Sequence, residues 1–267
     1  MKRMKREQLE NRLIDLLIIS GVVLLALPFL KETIVNIQLQ QSQLTVARQL
    51  PQTITEEETI TMPTLKEVAM NDTAINAYGF VAIDAIDFQQ PLLVGVTNQQ
   101  MLKGGVVMFP HRNLTESNFV IVGHHLGRYR LLFGLLNEAQ VGMNVSVTYL
   151  AQAKNYIITE KKIVAETDVH VIAEQSAAQL TLITCPIPSR TTERLVIIAE
   201  PQDEIAQMDE VSKVDRNLDQ KSFETLIQKQ KKIWRKDTPF NWFLLIVILV
   251  VICGCLRIVH KSIDRSS

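Results

Sequence analysis

Between Gly79 and Glu200 the chain is a succession of short runs of apolar and β-branched residues, separated by Gly, Pro, Asn and charged clusters. The runs are "FVAI", "PLLVGVT", "GGVVMF", "NFVIVGHH", "NVSVTYL", "NYIITEKKIVAE", "LTLITC" and "RLVIIAE". Eight β-rich runs at this spacing predict an all-β barrel or sandwich. One segment, "RYRLLFGLLNEA", breaks the pattern and predicts a short helix. Ahead of the runs, "IVNIQLQQSQLTVARQL" has apolar residues at rough helical spacing and predicts a stalk helix. A polar linker, "PQTITEEETITMP", follows, and "PTLKEVAMND" predicts a short helix with Pro63 in its first turn. After Glu200 the chain is charged and partly amphipathic up to Lys236, which predicts a helical stalk.

Two stretches are of a different kind. Residues 16–30, "LLIISGVVLLALPFL", and residues 238–256, "TPFNWFLLIVILVVICGCL", carry no charge. A hydrocarbon layer ~30 Å thick needs about 20 apolar residues in a helix. The second stretch meets this, and the first does so when Leu13 to Leu30 are counted, with Asp15 at headgroup level. The first also has the length of a signal-peptide core, but no A-x-A-like site follows it, which favours an uncleaved anchor. Lys2, Arg3, Lys5, Arg6 and Arg12 precede it and only Lys31 follows closely, so its N-terminal side is expected in the cytoplasm. Lys231, Lys232, Arg235 and Lys236, on the outer side of the second stretch, oppose that orientation. They lie either on anionic headgroups or on a solvated helix face.

The expected organisation is a basic cytoplasmic start (1–12), a membrane helix (13–30) and an extracytoplasmic stalk and linker (31–70). A β-barrel domain (71–202) follows, then a charged juxtamembrane stalk (203–237), a second membrane helix (238–259) and a cytoplasmic tail (260–267). The chain would sit in the cell membrane with its barrel outside.

Charge changes this picture little: Lys+Arg and Asp+Glu both total 28, which gives no basic surface for nucleic acid and no acidic tail. Cysteine changes it more. Cys253 and Cys255 fall in the second apolar stretch and read as apolar filler, with acylation sites as the alternative, which leaves Cys185 alone in the exported part, unable to form an internal disulfide there. In an oxidising compartment a lone thiol is buried or in use. The same region holds His111, His124, His125 and His170, with His124 and His125 closing the run "FVIVGHH". A Cys at a strand end is ordinarily a satisfied core thiol, and a His pair a packing or surface feature. A thiol, an imidazole and an arginine on one β domain are also the equipment of a cysteine nucleophile. The residues alone leave both readings open.

The pentad "TLITC", with an arginine nine residues on at the start of "RLVIIAE", resembles the T-L-x-T-C signature of sortases. "VIVGHH" resembles the sortase histidine strand, and "GFVAIDAIDFQQPLLVGVTNQQMLKGGVVMF" is similar to the N-terminal strands of that barrel. The resemblance implies an all-β, sortase-like closed barrel of about eight strands and a membrane-anchored cysteine transpeptidase of Gram-positive bacteria. Its partners would be secreted proteins with a C-terminal Leu-Pro-x-Thr-Gly-like (LPxTG-like) signal, cut between Thr and Gly, and an amine of a lipid II-like cell-wall precursor. By the same resemblance Cys185 is the nucleophile, His124 the acid and base, and Arg194 the stabiliser of substrate or oxyanion. Thr184, Ile183 and Val122 would line the substrate site. Strand alternation prevents His124 and His125 from both facing the thiol, and the family places its histidine directly after the glycine, here Gly123. Arg190 sits in the loop "PIPSRTTE", whereas Arg194 begins a strand, where its backbone is held.

No cofactor is expected. Calcium-binding members carry several acids before the histidine strand; "FPHRNLTESNF" offers only Glu116, so no metal is expected either. Pilin-polymerising members share the C-terminal span but carry an Asp-Pro-aromatic lid, and no Asp-Pro occurs in this chain. A housekeeping, class A-like enzyme is therefore expected, with a pilin-polymerising enzyme or an inactive sortase-like wall protein as alternatives. An L,D-transpeptidase would need a Ser-x-Gly-Cys setting, which the residues before Cys185 do not provide.

Overall fold

The computed structural model describes residues 33–39, 41–55, 61, 63–70, 74–126, 131–150, 152–175, 177–202 and 220–236, and shorter pieces of 13–25 and 246–257. The chain divides into two units, Ile34–Lys236 and a second made of Met1–Thr33 with Asp237–Ser267.

Within the larger unit, eight strands close into a barrel. In chain order they are β3 (Gly79–Ile83), β4 (Phe88–Val94), β5 (Gly105–Val107), β6 (Asn118–Val122), β9 (Asn144–Tyr149), β10 (Gln152–Ala165), β11 (Gln179–Thr184) and β12 (Glu193–Pro201). Each of the eight runs read from the sequence supplies one of them. Around the barrel the order is β10-β12-β11-β6-β5-β4-β3-β9, which leaves no free edge. Two pairs are parallel, β4 with β5 and β6 with β11, and the others are antiparallel.

Alternation along the strands sorts the side chains. Leu180, Leu182, Leu195, Ile197, Ala199, Phe119 and Ile121 point into the barrel, where Phe88 and Phe133 meet edge to face at 5.4 Å. Their neighbours Val120, Ile183 and Val196 point outward and form a separate apolar cluster. β9 shows the expected half-exposed alternation. β3 and β4 are buried at every position, because a second apolar layer covers their outer side.

That layer comes from both ends of the larger unit. Residues 33–39 are helical, and β1 (Gln43–Val46) then pairs in parallel with β2 (Ala74–Ala77). Val35, Leu39, Leu44 and Val68 pack with Phe80, Leu93 and Val106 of the barrel. The helix α2 (Gln220–Lys236) joins them through Phe223, and the Leu226 carbonyl accepts from Gln89 Nε2 of β4 at 2.8 Å. Lys229 pairs with Asp84 at 2.7 Å, and the Arg48 guanidinium stands over the Phe223 ring.

These contacts correct several expectations. The expected stalk helix stops short of β1, and its apolar positions are part of a packed layer. The expected juxtamembrane stalk is, from Gln220 on, a helix docked on the barrel; its first part, 203–219, lies outside the described residues. Thr64 caps the helix α1 (Leu65–Ala69) in a capping box with Glu67, so Pro63 precedes the cap and does not occupy the first turn. Of "RYRLLFGLLNEA", Arg128 to Arg130 lie outside the described residues. The rest forms a two-residue strand β8 (Leu131–Leu132), paired with β7 (His125–Leu126), and a 3-10 turn over Phe133–Glu138.

The basic start 1–12, the tail 260–267 and parts of both apolar stretches also lie outside the described residues. The described parts of 13–25 and 246–257 are helical, and Leu16, Leu17, Leu24, Leu25, Leu249 and Val250 are exposed. Among the described residues no helix is long and apolar enough to cross a membrane.

The β3–β9 pair includes a close backbone approach. A Cβ on Gly79 would stand 1.9 Å from the Thr148 carbonyl oxygen of β9. Gly79→Ala is therefore expected to destabilise the fold by about 1–3 kcal/mol or more, as overpacking against immovable backbone does. Denaturant unfolding measures this, and an unchanged midpoint would contradict the account of closure.

Candidate active site

β11 and β12 run antiparallel with Ile183 opposite Val196 and Thr184 opposite Leu195. One further step in that register sets Cys185 beside Arg194, on the outward side that Ile183 and Val196 share. The thiol lies just past the strand end and is partly buried. Burial pushes its pKa up, the Arg194 charge pulls it down, and Glu166 pushes it up again. The net displacement is upward, so Cys185 rests as a neutral thiol and needs a base to react.

On the other side of β11 runs β6, with Val122 opposite Ile183. The pairing continues past its end: Gly123 N–H donates to the Ile183 carbonyl at 3.1 Å, and Thr184 Oγ1 donates to the Gly123 carbonyl at 2.9 Å. Thr184 is 2 % exposed and its hydroxyl is engaged with the histidine segment, so its contact is with that segment and not with the surface. Val122 and Ile183 lie in the outward apolar cluster. His124 follows Val120 and Val122 in the same alternation, which carries it to the Cys185 side; it is 4 % exposed, and its carbonyl accepts from Phe133 N–H at 3.0 Å.

His125 is equally buried and has a different task. Its Nδ1 lies 2.9 Å from the Cys185 carbonyl oxygen. A carbonyl only accepts, so Nδ1 carries the proton. Burial lowers the pKa of this ring more than that hydrogen bond raises it, which keeps it neutral. The ring rests against Gly134, where a Cβ would come within 2.9 Å of Cδ2. Leu132, opposite His125 in the β7–β8 pair, has a φ of 55°, a strained value for a branched residue. Its carbonyl accepts from Gln90 Nε2 at 3.3 Å, which ties this corner to the barrel wall.

Arg194 is fixed by three partners. Nη1 donates to the carbonyls of Thr191 and Glu193 at 3.0 and 2.8 Å, and Nη2 donates to Glu166 Oε2 at 2.7 Å. Arg190 is exposed in the irregular segment between β11 and β12.

The apolar floor beside the thiol extends from Val120, Ile183 and Val196 to Val164, Val171 and Ile172. Val171 and Ile172 belong to a 3-10 turn, Val169–Ile172, held by residues that the sequence did not single out. Asn118 Nδ2 donates to the Val171 and Ala173 carbonyls at 3.0 Å each, and its Oδ1 accepts from Thr181 Oγ1 at 2.7 Å. Arg112 Nη1 donates to the Ile172 and Asn118 carbonyls, its Nε pairs with Glu174, and its guanidinium stacks on Phe109. Only Asn118, a polar residue opening an apolar run, left a trace in the sequence. Among the described residues no group of three or more His, Cys, Asp or Glu side chains is placed to hold a metal ion.

A thiol, an imidazole and a pinned guanidinium thus lie at the adjacent ends of β11, β6 and β12, over an apolar floor. Such a set can attack a carbonyl carbon, protonate a leaving amine and hold an oxyanion.

Comparison with known proteins agrees with this chemistry. The sortase domain family model matches residues 81–202. Sortase A of Listeria monocytogenes serovar 1/2a (strain ATCC BAA-679 / EGD-e) is 26% identical over 226 residues, spanning 80% of this chain and 98% of the relative. The Bacillus subtilis (strain 168) protein YwpE, named as a sortase, is 35% identical over 92 residues, 34% of this chain and 90% of that protein. The crystal structure of Listeria monocytogenes sortase A shows 29% identity and a TM-score of 0.46, covering 48% of this chain and 88% of that one. From the identity to a relative matched over nearly its whole length, and from the family match that contains the thiol, both histidines and Arg194, the chain belongs to the sortase family of cysteine transpeptidases.

Proposed function

We propose that the chain is a membrane-anchored sortase. It cuts an LPxTG-like sorting signal between Thr and Gly and joins the Thr to an amine of a cell-wall precursor. The observation that carries this reading is the register that places Cys185 beside Arg194 on the outward face, with His124 on the adjoining strand end. His124 takes the proton of the Cys185 thiol, the thiolate attacks the Thr carbonyl carbon, and negative charge develops on the carbonyl oxygen beside Arg194. The His124 imidazolium gives its proton to the departing Gly nitrogen, which leaves a thioester on Cys185. An incoming amine then attacks the thioester, loses its proton to His124 and takes the acyl group, restoring the thiol. The floor formed by Val122, Ile183, Val196, Val171 and Ile172 suits the apolar Leu and Pro of such a signal.

The exposed apolar residues in the helical parts of 13–25 and 246–257 support an anchor at each end. On this reading residues 31–237 lie outside the cell and both termini inside; protease shaving of intact cells that removes a C-terminal tag would contradict it. Without an Asp-Pro lid the housekeeping role is the better reading. Acceptor competition between a precursor-type amine and a pilin lysine peptide separates it from pilin polymerisation.

Replacing Cys185 by Ala is expected to abolish cleavage of a sorting peptide. His124→Ala should lose about 10²–10⁴-fold in turnover, the usual worth of a general acid and base. His125→Ala should mainly lower the melting temperature, since its ring supports the Cys185 backbone. A folded, inactive His125→Ala beside an active His124→Ala would invert the assignment.

Alkylation of Cys185 by iodoacetamide should titrate above the ordinary thiol range. Because Arg194 pulls the thiol pKa down, Arg194→Ala should move the midpoint higher still and cost roughly 10²–10³-fold in turnover. Arg190→Ala should leave both nearly as they are. A midpoint that falls in Arg194→Ala would contradict the electrostatic account.

A further inference from the structure

We propose that Glu166, at the end of β10, is a positioning residue for the reaction: its carboxylate holds the Arg194 guanidinium in the orientation that meets the developing oxyanion at Cys185. This deepens the sortase reading and rests on it.

The placement follows from the strands. β10 pairs with β12 so that Val164 stands opposite Arg194. Glu166 lies two residues beyond Val164, on the same side of the sheet. Its own N–H donates to the Thr192 carbonyl at 2.7 Å, which continues the ladder and fixes its backbone. Its Oε2 then accepts from Arg194 Nη2 at 2.7 Å.

The donor count shows what this does. A guanidinium has five N–H groups. Nη1 gives both of its own to the Thr191 and Glu193 carbonyls, and Nη2 gives one to Glu166. Among the described residues this leaves Nε–H and one Nη2–H to meet a substrate oxygen. The two carbonyls belong to the segment that carries Arg194 itself, so they cannot brace it against another strand. Glu166 can, because it comes from β10. Rigid donors aimed in advance are what electrostatic stabilisation of a transition state requires.

The carboxylate also acts on the thiol. The charged groups that act on the Cys185 thiol are Arg194 and Glu166, from β12 and the end of β10; His124 lies on the β6 side, and His125 holds the Cys185 carbonyl. Glu166 opposes the pull of Arg194 on the thiol pKa. The clamp therefore makes the cation rigid and adds its own upward push on the thiol pKa to the larger one from burial.

The test separates the hydrogen bond from the charge. Glu166→Ala removes both, and Glu166→Gln keeps an acceptor and removes only the charge. For Glu166→Ala, kcat on a sorting peptide should fall at least about tenfold, part of the roughly 10²–10³-fold cost of losing a donor outright. KM should stay within about twofold, because the interaction is made in the transition state. Glu166→Gln should recover most of the turnover while its iodoacetamide titration midpoint shifts to lower pH. In an Arg194→Ala background, Glu166→Ala should cost nothing further, since it acts through that residue. Wild-type kcat in Glu166→Ala would overturn the proposal, as would an equal loss with and without Arg194 or an unshifted midpoint in Glu166→Gln. Should the wild-type protein fail to cleave any sorting peptide, the proposed function fails, whereas the alkylation midpoints still report on the clamp.

Discussion

The antiparallel register of β11 and β12 is the constraint on which the site depends. With Thr184 fixed opposite Leu195, strand geometry leaves the next residue of β11 one place to go, beside Arg194. Because side chains alternate, a slip of one residue would send the thiol or the guanidinium to the barrel interior. Slippage is resisted by the apolar interior, since Leu180, Leu182, Leu195 and Ile197 fill it from these two strands. The core that stabilises the barrel thus also aligns the reactive groups. The parallel β6–β11 pair adds the histidines through the Gly123–Ile183 and Thr184–Gly123 hydrogen bonds.

Electrostatics then settles the resting state. Burial raises the thiol pKa more than Arg194 lowers it, so the Cys185 thiol rests neutral. His125 secures the Cys185 carbonyl, and in the proposed function His124 carries the proton. Arg194 is held by two carbonyls of its own segment and by Glu166 of the neighbouring strand end, which lowers the conformational entropy left in its guanidinium. The wall at Val171 and Ile172 is secured in the same manner, by Arg112 and Asn118 bonded to main-chain carbonyls.

The barrel was legible because its strands are short, β-branched and punctuated by turn residues, a pattern that survives without tertiary information. The pentad ending in Cys185, the glycine before His124 and the strand position of Arg194 identified the family and the candidate residues. What could not be read depends on contacts between distant segments. "QLTV" sits in a Gln-rich stretch of rough helical spacing, and only its pairing with Ala74–Ala77, some thirty residues on, makes it a strand. The C-terminal helix was visible as amphipathic, but nothing local shows that Phe223 fits the layer over β3 and β4. Glu166 and Arg112 left no trace because the partners that give them a role, Arg194 and the Ile172 carbonyl, lie 28 and 60 residues further on.

The central claim is that Cys185 becomes covalently acylated at the Thr carbonyl of a sorting signal, with His124 releasing the amine. Intact-mass spectrometry, with the purified enzyme mixed with a sorting peptide and no acceptor amine, tests it most directly. A thioester of the N-terminal peptide fragment should appear on Cys185 and disappear on adding hydroxylamine. It should fail to form in Cys185→Ala and form far more slowly in His124→Ala. Cleavage without any adduct, or an adduct on another residue, would contradict the account.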